Sequence, residues 1–456
     1  MAEENSNIDL IRGDPKKAII KLSIPMMASM ILTMIYNIAD SIWVAGLGAD
    51  ALAAVGFISP LYIVFVGLGG GIGAGANSLI SRYIGAKDDK RANNAALHGI
   101  LLCIIISAFC TVLVLLIMPQ LLIAMGAGST LKYSLDYGYI IFGFLFVFVY
   151  ANVASAIFRS EGDMRRATIV IAVTAVINAV LDPIMIYVLN LGIIGAAWAT
   201  VISCALAGLV MSYWFWIKKD LFLDLSLKNF SFDKNIIVEE LLVAVPSTLE
   251  NIIFSALAIF LNWMFVYVSG TTAVAVYTAA MRIIQFAMIP LIGIGTAVIT
   301  VSGVAYGACN VENLRITHSY SIKMGLLLSV IIGAIMIIFS NQIASLFSYS
   351  ASSAGMSSEI ATAISILSLF VLAIPQGLMS SMLFQGVGKG VYSLILTLLR
   401  SLIFEVLFTY LFTFIFGWGL VGIYAGIVLG CFAGGMVGYI WAKIFIKRFG
   451  ESLDSD

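Results

Sequence analysis

Long apolar stretches recur along the whole chain, and this pattern restricts the fold more than any other feature. A bilayer core about 30 Å thick is crossed by a helix of roughly 20 apolar residues. Hydrophobic residues make up 61% of the chain and charged residues only 11%, whereas a soluble domain has roughly 25% charged residues. The chain is therefore predicted to be an all-α polytopic membrane protein with twelve transmembrane helices, near residues 18–45, 51–80, 92–118, 134–157, 167–190, 193–217, 238–267, 273–303, 318–340, 358–384, 391–416 and 420–445.

Basic residues are concentrated in alternate loops between the predicted spans. The segment before the first span and the loops after every second span hold most of the Lys and Arg, while the other loops contain one basic residue, Lys132. Loops rich in Lys and Arg stay on the cytoplasmic side, so both termini are predicted to be cytoplasmic in a protein of the cell membrane. The net charge is zero and no basic block is present, so we expect the lipid bilayer as a partner and no nucleic acid.

The two halves of the chain resemble each other. Residues 40–91 align without a gap onto residues 262–313 at a shift of 222. The longest polar loop separates the halves, which predicts an N-terminal lobe of residues 1–217, a linker of residues 218–237 and a C-terminal lobe of residues 238–456. Because each half has an even number of spans, the two six-helix bundles should be pseudo-symmetric about an axis along the membrane normal, with a cleft between them.

Two isolated carboxylates, Asp40 and Asp182, lie inside predicted spans. An ionised side chain at the centre of a membrane helix costs about 2.5–3.5 kcal/mol on insertion scales, and such residues usually mark functional sites. Asn178 precedes Asp182 by one helical turn and shares its face, and Pro183 leaves a backbone carbonyl without its donor. We expect the two aspartates to form one ion-binding site; the alternative is that each carboxylate only packs helices together.

The C-terminal half lacks carboxylates at the positions that match this pair, but it has acids elsewhere. Glu250 follows Pro246 by one turn, just past an expected kink, and is a candidate ion site of the C-terminal lobe. Glu405 lies five residues after Arg400 and is equally explained by an ion pair that holds helices together.

Several motifs taken together resemble the multidrug and toxic compound extrusion (MATE) family. The similarity covers nearly the whole chain and is carried by Pro25 through Gly56, by Tyr83-Ile-Gly-Ala-Lys87 and by the stretch from Asn178 to Pro183. The N-lobe aspartates with Asn178 are similar to the DinF-type branch of archaea and bacteria. The resemblance implies a secondary active antiporter that exports organic cations and other xenobiotics by alternating access, in exchange for H⁺ or Na⁺. We expect no other cofactor and a monomeric protein.

The resemblance also implies roles for particular residues. The implied cation site consists of Asp40, Asn178, Asp182 and Thr200, and Na⁺ would bind, if at all, at the two aspartates. Pro25 would be the hinge at which the first span bends. The implied substrate-binding residues are Tyr36, Asn37, Tyr137 and Asn152.

A physical mechanism can be stated for the aspartate pair itself. Two carboxylates in a pocket of low dielectric repel each other when both are ionised, so one of them favours a proton or a bound cation. Ion exchange at the pair would change the hydrogen bonds of the first span, which Pro25 allows to bend, and would expel substrate outward. One proton that enters through 100 mV releases about 2.3 kcal/mol, equivalent to roughly a fifty-fold gradient.

Other classes of function make different demands on the sequence. A lipid-linked oligosaccharide flippase of the same superfamily would need a cationic cavity for pyrophosphate, but the spans contain few basic residues: Arg282, Lys323 and Arg400. A membrane enzyme would need catalytic motifs, and the chain has two histidines and neither HExxH nor GxSxG. The lack of a nucleotide-binding motif disfavours an ATP-driven pump. Composition alone leaves a passive channel open.

Overall fold

The computed structural model describes residues 2–345 and 356–455, and within these ranges it contains helices and no strand. Lipid offers no hydrogen-bond partners to the backbone, so an apolar span must satisfy its own N–H and C=O groups, as a helix does. The α-helices are α1 Ala2–Arg12, α2 Pro15–Ala45, α3 Ala49–Gly85, α4 Asp89–Ala124, α5 Leu131–Gly143, α6 Leu145–Ser160, α7 Met164–Pro183, α8 Ile193–Ser212, α9 Lys234–Ser269, α10 Thr271–Gly307, α11 Val311–Ile338, α12 Ser340–Ser345, α13 Ser357–Gly386, α14 Gly390–Thr397, α15 Val406–Tyr410 and α16 Gly419–Ser455.

Eleven helices in the described ranges are long and apolar enough to cross a membrane. The count reaches twelve when the pair Gly128–Gly143 and Leu145–Ser160, which meets at 46°, is taken as one broken span. The break falls at Phe144, whose backbone (φ −109°, ψ 26°) is not helical. The prediction of an all-helical polytopic protein is confirmed, and its fourth span is bent rather than continuous.

Several helices widen into π-helical turns near polar positions. Helix α7 continues past Pro183 as the π-helix Ile184–Val188, and a second π-helix, Leu398–Glu405, lies between α14 and α15. A proline removes one N–H from the helical ladder, and the local backbone adjusts its hydrogen bonds to compensate. The widened turn in α7 directly follows the predicted ion-site residues.

The described residues divide into two compact units. The first comprises residues up to Gly13 together with Ile24–Thr248, and the second comprises Asp14–Ser23 and the described residues from Leu249 onward. The first unit therefore extends past the polar loop 218–237 and includes residues 234–248 of α9. The lobe boundaries suggested by the sequence repeat remain a prediction.

Each unit has its own apolar core. In the first, buried side chains of α3, α4 and α5 meet around Ile58, Met118 and Phe142, each at most 1% exposed. In the second, residues of α9, α10, α13 and α16 meet around Phe265 and Leu367. Tyr137 belongs to the first core, so this predicted substrate residue is held in a packed environment and not on a mobile loop.

Candidate functional site

Asp40 of α2 and Asp182 of α7 lie next to each other in the first unit, with their side chains facing. Asp182 is fully buried and Asp40 is partly buried. Both carboxylate oxygens of Asp182 and Oδ1 of Asp40 are buried without a hydrogen-bond partner in the described part of the chain. An unpaired buried carboxylate is costly, so this arrangement favours the binding of a proton or a cation at the two groups.

Asn178 of α7 and Thr200 of the neighbouring helix α8 extend the polar site. The Asn178 amide Nδ2 donates to the Thr200 hydroxyl at 3.4 Å, and that hydroxyl donates to the Ala196 carbonyl at 3.1 Å. The Asn178 carbonyl oxygen is buried and has no partner in the described residues. Asn178 lies one helical turn from Asp182 on the same face of α7. Its amide N–H group is engaged by Thr200, and its carbonyl oxygen can accept from a protonated carboxyl or bind a cation.

The donor set fits a proton or an alkali cation. It offers carboxylate, amide and hydroxyl oxygens, which are hard ligands, and no thiolate or imidazole. No group of three or more His, Cys, Asp or Glu side chains that could hold a metal ion occurs among the described residues.

Three tyrosines surround the aspartates. Tyr36 precedes Asp40 by one turn of α2, and Tyr137 of α5 lies within electrostatic range of both Asp40 and Asp182. Tyr62 of α3 interacts in the same way with Asp40 and with Tyr36, and it was not among the residues predicted for the site. Three tyrosine side chains therefore lie close enough to the aspartates to interact with them electrostatically.

The two predicted asparagines of the substrate cavity take different positions. Asn152 of α6 donates from Nδ2 to the Phe148 carbonyl at 3.0 Å. Its Cβ lies next to Gly69 of α3, and its backbone carbonyl lies next to Gly73 of the same helix. Asn37 of α2 is exposed, on a face next to that of the aspartate. Substrate contact by either residue stays a prediction.

Helix α2 is fastened to α7 on both sides of the aspartate pair. The Thr168 hydroxyl donates to the Pro25 carbonyl at 2.9 Å, and the Tyr187 hydroxyl donates to the Trp43 carbonyl at 2.6 Å. The rings of Tyr187 and Trp43 also meet edge-on at 6.3 Å. A Cβ at Gly46 would overlap the tyrosine hydroxyl, so a larger residue there would displace this hydroxyl. Sequence reasoning identified Pro25 but missed both hydroxyl groups, since Thr and Tyr are common in apolar spans.

The acid predicted for the C-terminal half lies in a hydrogen-bonded pocket of the second unit. Glu250 of α9 accepts from the Ser393 hydroxyl at 2.6 Å and from Gln385 Nε2 at 3.3 Å. Arg400 lies within electrostatic range of Glu250 and of Glu405. Unlike Asp182, Glu250 therefore has donors on neighbouring helices, which stabilise its charged form.

Comparison with known proteins gives matches along most of the chain. A family model described as MatE matches residues 25–184 and 246–411. Multidrug export protein MepA of Staphylococcus saprophyticus is 27% identical over 378 residues, which are 82% of this chain and 79% of that protein. Two solved structures, of MATE in the straight and in the bent conformation, are each 37% identical and cover 98% of this chain and 99% and 98% of theirs, with TM-scores of 0.94 and 0.93.

Proposed function

Because the chain belongs to the MatE family, whose members are membrane transporters and not enzymes, we propose that it exports drug-like organic cations in exchange for an entering proton, with Na⁺ as the alternative coupling ion. The similarity to a multidrug export protein over 82% of the chain supports multidrug export. Sequence identity and fold establish membership of the family. The proposed site and the proposed coupling ion are argued from residues of the first unit.

The proposal is supported above all by the aspartate pair, whose carboxylate oxygens lack hydrogen-bond partners in the described residues. Three buried carboxylate oxygens of Asp40 and Asp182 have no donor in the described residues, so the pair needs one positive charge to be stable in this packing. When that ion leaves, two negative charges repel each other across a poorly solvated gap. The pair can therefore convert the arrival of an ion into a change in the distance between α2 and α7.

Helix α2 is able to respond to such a change. Pro25 leaves the Lys21 carbonyl without its helical donor, which lowers the resistance of α2 to bending. The solved structures with straight and bent conformations have this fold, and we propose that α2 bends at Pro25 in this protein too. The bonds from Thr168 and Tyr187 would then have to break or re-form as α2 moves.

The substrate side of the proposal depends on the aromatic surroundings. The faces of Tyr36, Tyr62 and Tyr137 suit flat organic cations through cation–π contacts, while the aspartates supply the negative charge. An exporter of this kind works in the cell membrane, with both termini cytoplasmic and as a monomer with two lobes. A flippase for pyrophosphate-linked lipids would require positive charge at this place instead.

The test is transport of a fluorescent organic cation into inside-out vesicles under an imposed pH gradient. We expect Asp40→Asn and Asp182→Asn each to abolish gradient-driven transport, because an amide cannot exchange a proton. Asp50→Asn is the matched control, since Asp50 is exposed and should not affect transport. Full activity of either buried-aspartate variant, with correct folding in all three, would exclude this site.

The coupling ion is decided by imposing each gradient separately. Transport driven by a pH gradient in sodium-free buffer would support H⁺ coupling, and transport that requires a Na⁺ gradient would support Na⁺. Glu250→Gln serves as the comparison for the second unit. A larger loss of transport in Glu250→Gln than in both aspartate variants would place the coupling site in the pocket of Ser393 and Gln385 instead.

A further inference from the structure

Glu240 is a buried acid that the proposed ion site does not use. It lies on α9 within the first unit and is 1% exposed, and neither of its carboxylate oxygens has a hydrogen-bond partner in the part of the chain that the structure describes. An ionised carboxylate buried without a partner costs several kcal/mol. The packed arrangement therefore requires the neutral, protonated form of this side chain.

Two glycines allow the acid to occupy this position. A Cβ at Gly75 of α3 would lie 2.5 Å from the Glu240 carbonyl oxygen, and a Cβ at Gly99 of α4 would lie 3.7 Å from its Oε1 atom. The backbone of α9 thus approaches α3 at a distance that a larger residue would prevent. The close approach holds the carboxyl against α4, where water has no access.

The other ionisable groups of the surrounding helices have partners of their own. On α4, the His98 Nε2 atom accepts from the Asp233 backbone N–H at 3.0 Å, and its Nδ1 atom lies 2.8 Å from a carbonyl of its own helix. Arg82 of α3 pairs with Glu239, the neighbouring residue on α9, at 3.1 Å. Arg159 of α6 also takes part in an interaction, and no charged neighbour among the described residues contributes to the electrostatics of Glu240. These groups leave the buried acid without a countercharge.

We propose that Glu240 is a second proton-binding site, separate from the Asp40–Asp182 pair, and that loss of its proton releases residues 234–248 of α9 from α3 and α4. Packing and ionisation exclude each other here, because a charged carboxylate must reach water or a cation. Pro246 gives the released segment a natural end, since it leaves the Leu242 carbonyl without its helical donor.

The experiment uses the full-length protein in lipid nanodiscs and a thiol reporter in the same segment. Val243 is fully buried, and Val243→Cys is introduced into the wild type and into Glu240→Gln, which stays neutral at every pH. The rate of labelling by a water-soluble maleimide is measured at this position by peptide mass spectrometry over a pH series. Because thiol reactivity itself rises with pH, the compared quantity is the ratio of the two rates.

We expect this ratio, wild type over Glu240→Gln, to be near one at low pH and then to rise about tenfold per pH unit, as for an opening that releases one proton. Glu239→Gln, which alters the partly exposed neighbour and its ion pair with Arg82, should keep the pH dependence of the wild type. A ratio that stays near one over the whole series would overturn the proposal, and so would a rise that Glu239→Gln abolishes.

A second measurement needs no cysteine reporter. An acid that is protonated when folded and ionised when unfolded contributes stability that is present at low pH and lost as the pH rises. The Tm of Glu240→Gln minus that of the wild type should therefore increase with pH, whereas the same difference for Glu239→Gln should not. A difference for Glu240→Gln that is constant across the series would also overturn the proposal.

Discussion

The hydrogen bond from Thr168 to the Pro25 carbonyl determines how firmly the first span is held near its bend. Thr168→Val keeps the branched shape and removes only the hydroxyl that donates at 2.9 Å. Side-chain hydrogen bonds between membrane helices average about 0.6 kcal/mol, with a maximum of about 1.7. A free-energy change of 1.36 kcal/mol changes an equilibrium constant tenfold. The population of the conformation that contains this bond should therefore fall by a factor of about 3 to about 18, relative to conformations that lack it.

Pairs of spin labels at Ile42 of α2 and Ile117 of α4 can measure this shift, because both side chains are exposed and both belong to the first unit. Distance distributions in nanodiscs should show the expected change in populations for Thr168→Val. Thr168→Ser, which keeps the hydroxyl, should retain the wild-type distribution. An unchanged distribution for the valine variant, or an equal change for the serine variant, would refute the assigned role of the bond.

Three further predictions concern other contacts of the two units. Tyr187→Phe should weaken the outer fastening of α2 to the Trp43 carbonyl by a similar factor of about 3 to about 18, measurable with the same labels; a distribution like that of the wild type would contradict it. Ser393→Ala should lower the free energy of unfolding by about 1–3 kcal/mol, because Glu250 loses its closest donor; an unchanged unfolding transition in detergent would argue against that pocket. For Asp220, in the loop after α8, burial alone would raise the pKa, but hydrogen bonding and the charges of basic neighbours lower it below its usual value, so the stabilisation is present above pH ~4 and lost as the pH falls below it. The Tm of the wild type should therefore exceed that of Asp220→Asn at neutral pH and converge with it in acid; a gap that is independent of pH would contradict this.

The acids of the first unit could be predicted because a carboxylate in an apolar run is rare and costly. Asp182 and Asn178 were paired by helical spacing alone, and the structure places them on one face of α7. The approach of Asp40 to Asp182 came from a resemblance and from their chemistry, since no periodicity connects two separate spans. The structure brings the two carboxyl groups together, and the role of the pair in ion binding stays a prediction.

Other features had no signal in the sequence. Residues such as Thr168, Tyr187 and Tyr62 are common in apolar spans. Their roles follow only from the groups that they contact, which are backbone carbonyls of α2 for the first two and the Asp40 site for Tyr62. The break at Phe144 occurs without a proline. Hydropathy contains no signal for a break of this kind, so one continuous span was predicted there. Glu240 lies near the predicted start of a span, where acids are usually solvated, and its burial follows from a close helix contact that hydropathy does not report.

The π-helical turn after Pro183 sets the length of chain between Asp182 and Tyr187. Such a turn accommodates one more residue than an α-helical turn, and each residue turns an α-helix by about 100°. Deleting a single residue between the proline and the tyrosine would restore ordinary register and swing the phenol away from α2. Spacing in this stretch is therefore as much a requirement as residue identity, and a related exporter that is one residue shorter here would need a different anchor for the outer end of its first span.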